Sequence, residues 1–140
     1  MNYFDTSVLT ACYCPESRSD RAQRLLSRSN QPTISPLVEL ELYCVVSRKV
    51  RAGELDDRSA RLIFAEFQRH LTEPRFHVVP VQAGEYARAR QWLETLSSAL
   101  RSVDALHLAA AFNNDLMLLT ADKGLAQAAK KFGVKHKLVS

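Results

Sequence analysis

Short apolar runs alternate with longer amphipathic stretches along this chain, and turn residues mark the changes of period. Asn2–Phe4 reads as a first strand, and Thr6–Cys14 as a helix stopped near Pro15. Ser19–Ser29 places Ala22, Leu25 and Leu26 on one apolar helix face, and Pro32–Ile34 is a short extended segment. Ser35-Pro36 has the form of an N-cap followed by Pro at the first helical position, opening a helix to Arg51 that Gly53 stops. Asp56 or Asp57 opens the next helix, which reaches about Leu71 before Pro74. Phe76–Val81 is apolar and β-branched, so it predicts a strand. Ala83–Leu96 predicts a helix with Tyr86, Ala89, Trp92, Leu93 and Leu96 near one face. Ser102–Asn113 is an alanine-rich helix, Leu116–Thr120 a continuous apolar and hence fully buried strand, and Lys123–Phe132 a helix ended by Gly133. Lys135–Val139 completes the series as a last strand.

Strands alternating with helices imply an α/β protein whose parallel sheet is covered on both faces. Such sheets bind ligands in the crevice beyond the carboxyl ends of their strands. Two acids fall there: Asp5 ends the first strand, and Asp122 follows the buried strand. Asp104 lies in the first turn of the alanine-rich helix, and Glu41 lies about two turns into the helix opened by Ser35. Taken singly, each has an ordinary use as a cap, a first-turn acid favoured by the helix dipole, or a half-buried surface charge. What singles them out is that all four coincide with one sheet edge, in apolar surroundings where an unpaired charge is costly.

Glu39 competes with Glu41. Two positions on a helix are about 200° apart, so the pair points to nearly opposite sides. Leu37, Leu40 and Cys44 form an i, i+3, i+7 stripe, and its inward edge leans slightly toward Glu41.

Crowded carboxylates raise one another's pKa unless a cation is present. Mg2+, for which Mn2+ substitutes, takes a few carboxylates plus water and leaves positions for phosphate oxygens. The chemistry this favours is phosphodiester hydrolysis, with no histidine or cysteine needed at the metal.

Composition changes the picture little. The chain has 140 residues, 46% hydrophobic and 24% charged, which suits one soluble domain with its own core. No apolar run approaches the ~18 residues of a membrane span, and Asp5 interrupts any signal-peptide pattern, so a cytoplasmic location is expected. Cys12, Cys14 and Cys44 are odd in number and lack zinc-site spacing, so they read as free buried or half-buried thiols. The net charge of +4 is compatible with a polyanionic partner without requiring one.

Four segments carry a resemblance to a known family. YFDTSVL, SPLVELELYCVVSRKV, LRSVDALHLAAA and LLTADKGLAQAAKKFGV resemble the signature blocks of PIN domains, and more closely those of VapC-type toxins of bacterial toxin–antitoxin pairs. The resemblance runs from Tyr3 to Val134 and implies a three-layer α/β/α sandwich and a metal-dependent endoribonuclease. It implies Asp5, Glu41 (six positions after Ser35), Asp104 and Asp122 as the metal-holding catalytic acids, with Thr6 and Thr120 as supporting hydroxyls. It also implies an RNA substrate, a homodimer and a cognate VapB-like antitoxin.

Arg48, Lys49 and Arg51, at the end of the helix that carries Glu41, are candidates for gripping RNA phosphates, as is Lys123. They equally suit a helix C-terminus or a solvated surface. His107 stands three positions after Asp104 on the same helix face, which suggests a ligand or proton shuttle; the ordinary expectation is a buried core histidine. Trp92 is expected in the core. An aspartyl-phosphate enzyme is disfavoured because Asp5 is followed by Thr6 and Ser7 rather than by a second acid at the D-x-D position. A non-catalytic PIN-like binding module is the alternative, and it would be expected to have lost one of the four acids.

Overall fold

The computed structural model describes all residues, Met1–Ser140. Five strands and seven helices follow in the order β1 (Asn2–Phe4), α1 (Thr6–Tyr13), α2 (Ser19–Arg28), β2 (Thr33–Ile34), α3 (Pro36–Arg51), α4 (Asp57–Thr72), β3 (His77–Val78), α5 (Ala83–Leu93), α6 (Ser102–Asn113), β4 (Met117–Thr120), α7 (Lys123–Lys131) and β5 (His136–Leu138). All pairings are parallel, and the sheet order is β3-β2-β1-β4-β5. The chain therefore winds outward from β1 in one direction and then resumes on its other side at β4.

Right-handed crossovers place the helices of the two windings on opposite faces of the sheet. The helix contacts agree: α1 packs on α2 and α3, and α3 on α4, whereas α6 packs on α5 and α7. Three layers result, α1–α4, the sheet, and α5–α7. The central strands face helices on both sides, which is why Tyr3, Phe4, Leu118 and Leu119 are all buried. Gly53 and Gly133 end α3 and α7 at φ of 76° and 72°, conformations that glycine adopts without a Cβ penalty.

Several local expectations need correction. β3 pairs over two residues, not six: the His77 and Val79 N–H groups reach the Pro32 and Ile34 carbonyls at 2.9 Å each, and the ladder ends because its neighbour β2 stops at Ile34 and the chain enters α3 at Pro36. The apolar character of Phe76, Val79 and Val81 serves packing instead. α5 stops at Leu93; Leu96 lies beyond it at φ 57° and is 91% exposed, and Tyr86 is exposed too, so only Ala89 and Trp92 of the predicted face are fully buried. Trp92 packs edge-on against Phe112 and stacks on Phe132. On α3 the buried stripe is Val38, Leu42 and Val46, whereas Leu40 and Cys44 are exposed. Cys12 and Cys14 are buried free thiols. No helix is long and apolar enough to cross a membrane.

One polar cluster in the α1–α4 layer gives a pH prediction. His70, near the end of α4, is buried; its Nδ1 lies 2.6 Å from the Tyr13 hydroxyl, and its Nε2 faces Arg75 at 3.1 Å and Arg69 at 3.3 Å. Two guanidinium donors at Nε2 require a lone pair there, so the ring is neutral with its proton on Nδ1. Burial first, then the Arg75 charge, holds its pKa below the ordinary histidine value. Its contribution to stability is therefore complete above the unfolded pKa of about 6.5 and is lost as pH falls through the folded pKa. The difference in Tm between wild type and His70→Gln should shrink from about pH 7 to about pH 5. A constant difference would show that His70 does not titrate with folding.

Candidate active site

Where the winding reverses, between β1 and β4, the strand tips part and leave a crevice at the carboxyl edge of the sheet, as expected for a doubly wound topology. A cavity of about 500 Å³ opens there, and Asp5, Glu41, Asp104 and Asp122 all line it. The four acids come from both helix layers and both central strand tips.

Asp5 follows β1 directly and caps α1. Its Oδ1 accepts from the Val8 N–H at 3.0 Å and from the Ser7 hydroxyl at 2.6 Å. The Asp5 N–H meanwhile extends the β1–β4 ladder to the Leu119 carbonyl. Cap and site member are thus the same residue. It is 3% exposed, and burial pushes its pKa up against the hydrogen bonds of Ser7, Thr120 and Val8. Ser7 also accepts from the Ala121 N–H at 2.9 Å, tying the start of α1 to the end of β4.

Asp122 caps α7, its Oδ1 accepting from the Gly124 and Leu125 N–H groups at 2.8 and 3.2 Å. The fully buried Thr120 hydroxyl accepts from the Asp122 N–H at 3.0 Å and so sets the turn. Asp104 is half-buried in the first turn of α6. Burial and the nearby charges of Asp122 and Glu41 raise its pKa, and no donor of the protein hydrogen-bonds its carboxylate.

Glu41, rather than Glu39, reaches the crevice. Its Oε1 accepts from the Thr6 hydroxyl at 2.6 Å and from His107 Nε2. Burial works to raise its pKa, but the hydrogen bonds of His107 and Thr6 and the charge of Arg48 hold it below the ordinary value. Glu39 has no comparable partner, and burial raises its pKa.

His107, expected to be an ordinary core histidine, is buried but joins the crevice wall through Glu41. Ser35 begins α3 as expected, yet its hydroxyl makes no cap; it lies 2.8 Å from the Tyr3 hydroxyl. No local pattern marks this role for His107 or that of Ser7, because each depends on partners far along the chain or on another element. Among the basic candidates, Arg48 and Lys49 line the cavity. Arg51 stands about a turn beyond Arg48 and donates to the Ser47 hydroxyl at 2.9 Å, and Lys123 projects into solvent at the start of α7; neither lines the crevice. Arg18 does, and Arg101 and Lys131 line a second cavity of about 780 Å³ that shares Glu41, Asp104 and Asp122.

No three His, Cys, Asp or Glu side chains form a ready-made metal cage. The donor set still suits a hard cation. It is all oxygen, Asp104 has no protein donor, and Mg2+ keeps several waters rather than requiring a closed protein shell. No cysteine lines the crevice, and both ring nitrogens of its one histidine, His107, are engaged by Tyr3 and Glu41, which leaves carboxylate oxygens as the free donors.

A parallel α/β sandwich with acids gathered at its topological switch is thus the class of protein in hand. A PIN domain family model matches residues 3–131, and the chain belongs to that family. Its fold is similar to VapBC2 from Rickettsia felis bound to a DNA fragment from their promoter, at 17% identity and a TM-score of 0.72 over 100% of both chains. It is also similar to FitAcB from Neisseria gonorrhoeae, at 21% identity and a TM-score of 0.70 over 97% of this chain and 96% of that one. A third similar structure is Mycobacterium tuberculosis VapC20, described as a Sarcin-Ricin loop cleaving toxin, at 20% identity and a TM-score of 0.71 over 91% and 95% of the two chains. At these identities the likeness is one of fold. No curated protein sequence matches the chain.

Proposed function

We propose that this PIN domain is an endoribonuclease dependent on Mg2+ or Mn2+, the toxin of a toxin–antitoxin pair. The observation that carries the reading is the meeting of Asp5, Glu41, Asp104 and Asp122 at one crevice, with Asp104 lacking any donor. These four would hold the cation. When bound, it makes water more acidic and offsets negative charge at the phosphorus. The chain's own groups orient the acids: Ser7 and the Val8 N–H fix Asp5, Thr6 and His107 fix Glu41, and Thr120 sets the turn that carries Asp122. Arg18, Arg48 and Lys49 along one cavity, and Arg101 and Lys131 along the other, offer cations on either side of the acids for an RNA backbone.

Structures of similar fold include a toxin–antitoxin complex from Klebsiella pneumoniae and FitAB bound to a DNA fragment. They support an antitoxin partner here. Exposed Leu40 on α3 and Leu62 on α4 provide apolar surface for it, or for a second copy in a homodimer.

Purified protein incubated with total cellular RNA should release discrete fragments with Mg2+ and none with EDTA. Intact RNA in both arms, together with calorimetry showing no Mn2+ binding, would remove the nuclease reading.

A further inference from the structure

The strongest unassigned feature is a buried line of polar side chains that ends on Glu41. Tyr3 in β1, Ser35 at the head of α3 and His107 in α6 are 0%, 0% and 3% exposed. The Ser35 and Tyr3 hydroxyls lie 2.8 Å apart, and the Tyr3 hydroxyl lies 2.8 Å from His107 Nδ1. Nε2 of the same ring meets Glu41 Oε1, which also receives the Thr6 hydroxyl. Thr6 itself lies 3.4 Å from Nε2.

The partners assign the protons. A carboxylate accepts only, so Nε2 carries a hydrogen and donates it to Glu41. In the neutral ring Nδ1 is then the acceptor for the Tyr3 hydroxyl, and the Tyr3 oxygen is free to accept from Ser35. The Tyr3 phenol serves as donor on one side and acceptor on the other. Each donor meets one acceptor, in a single direction from core to crevice.

Such a line is not needed for packing. Burying three polar groups is costly unless they are paired, and once paired they return little net stability compared with apolar residues of the same shape. The rest of the α6 interior is Ala105, Leu106, Leu108, Ala109, Ala110 and Ala111, into which leucine at position 107 would fit chemically. What the line does accomplish is specific. Both of its donors fall on Oε1, leaving Oε2 without a protein donor on a side chain that lines both cavities.

We infer that His107 is a positioning residue for Glu41: its Nε2–H, with the Thr6 hydroxyl, fixes Oε1 so that Oε2 is presented to the crevice, and Tyr3 and Ser35 hold the ring in the tautomer that does this. The role rests on the nuclease reading for its consequence, and on hydrogen bonds alone for its geometry. Hydrogen-bonded partners of ligating carboxylates typically matter by about 10- to 100-fold in metal affinity or activity.

Two measurements test it. In the metal-free wild type, ring 15N shifts of His107 should show a protonated Nε2 and an accepting Nδ1; the opposite tautomer overturns the inference whatever the enzyme does. Calorimetric Mn2+ titration then compares wild type, His107→Leu and His107→Gln, each checked for folding by its thermal melt. Leucine removes the donor and should weaken Mn2+ binding about 10- to 100-fold, with cleavage falling in step. Glutamine returns an N–H at nearly the Nε2 position and should restore affinity to within about 3-fold of wild type, well inside that loss. Equal losses in both variants would reduce His107 to packing, and wild-type affinity in a folded His107→Leu would also refute the role. If the tautomer is as assigned but wild type neither binds Mn2+ nor cuts RNA, the nuclease reading fails and the consequence drawn from it fails too.

Discussion

Asp5→Asn should abolish RNA cleavage while leaving the protein as stable as wild type or more so. The expected loss is at least about a hundredfold, because removing one charged metal-holding oxygen forfeits several kcal/mol of charge stabilisation. Folding should survive because asparagine caps helices as well as aspartate and retains an oxygen for the Val8 N–H and the Ser7 hydroxyl. Stability should rise at neutral pH for a separate reason. The folded protein holds the Asp5 carboxyl above its ordinary pKa, chiefly by burial. A raised carboxyl pKa means that the folded state binds the proton more tightly than the unfolded state, so stability falls as pH climbs from the unfolded value of about 3.9. Asparagine removes that penalty, and its advantage in Tm should shrink as pH falls toward the unfolded value of about 3.9. Added Mn2+ should raise the Tm of wild type but not of the variant. A variant that still cuts RNA at the wild-type rate would take Asp5 out of the catalytic group and leave it as the cap of α1.

Glu41→Gln should likewise cost at least about a hundredfold in cleavage, whereas Glu39→Gln should stay within about 0.5 kcal/mol of wild type in stability and close to it in rate. Glutamine at position 41 keeps an oxygen for Thr6 and His107, so it removes the charge while leaving an acceptor for both. Glu39 lines neither cavity, and burial already works against its charge. Rates for the two variants, measured on one RNA, decide between the acids. A large loss at Glu39 with an active Glu41→Gln would reverse the assignment.

The difficulty in choosing between these two acids shows where local pattern runs out. From Leu37 to Val46 α3 carries apolar residues on nearly every side, so periodicity defines no unique face. Leu37, Leu40 and Cys44 satisfy a helical repeat, yet the stripe that packs inward is Val38, Leu42 and Val46. Against that stripe, Glu39 is the acid nearer the core, so the lean toward Glu41 had no sound basis in periodicity. The spacing from Ser35 in the family pattern is what picked out the residue that reaches the crevice. In β3 the run from Phe76 to Val81 has strand composition, but an edge strand whose one neighbour is only two residues long has nothing further to pair with.

By itself the sequence determined the alternation of strands and helices, the ends marked by Pro36, Gly53 and Gly133, and the placing of Asp5 and Asp122 just past strand ends. Each depends on a residue and its close neighbours: a period, a ring without an N–H, a glycine at positive φ, a side chain capping the next turn. Only the tertiary structure decided that β4 lies beside β1, which of the two glutamates faces the gap, and that Ser35, Tyr3 and His107 form one line to Glu41. Those contacts join residues that stand 32, 104 and 66 positions apart. Hydrogen bonds over such separations leave no local period to read; they exist only once the opposing helix layers close over the tip of β1.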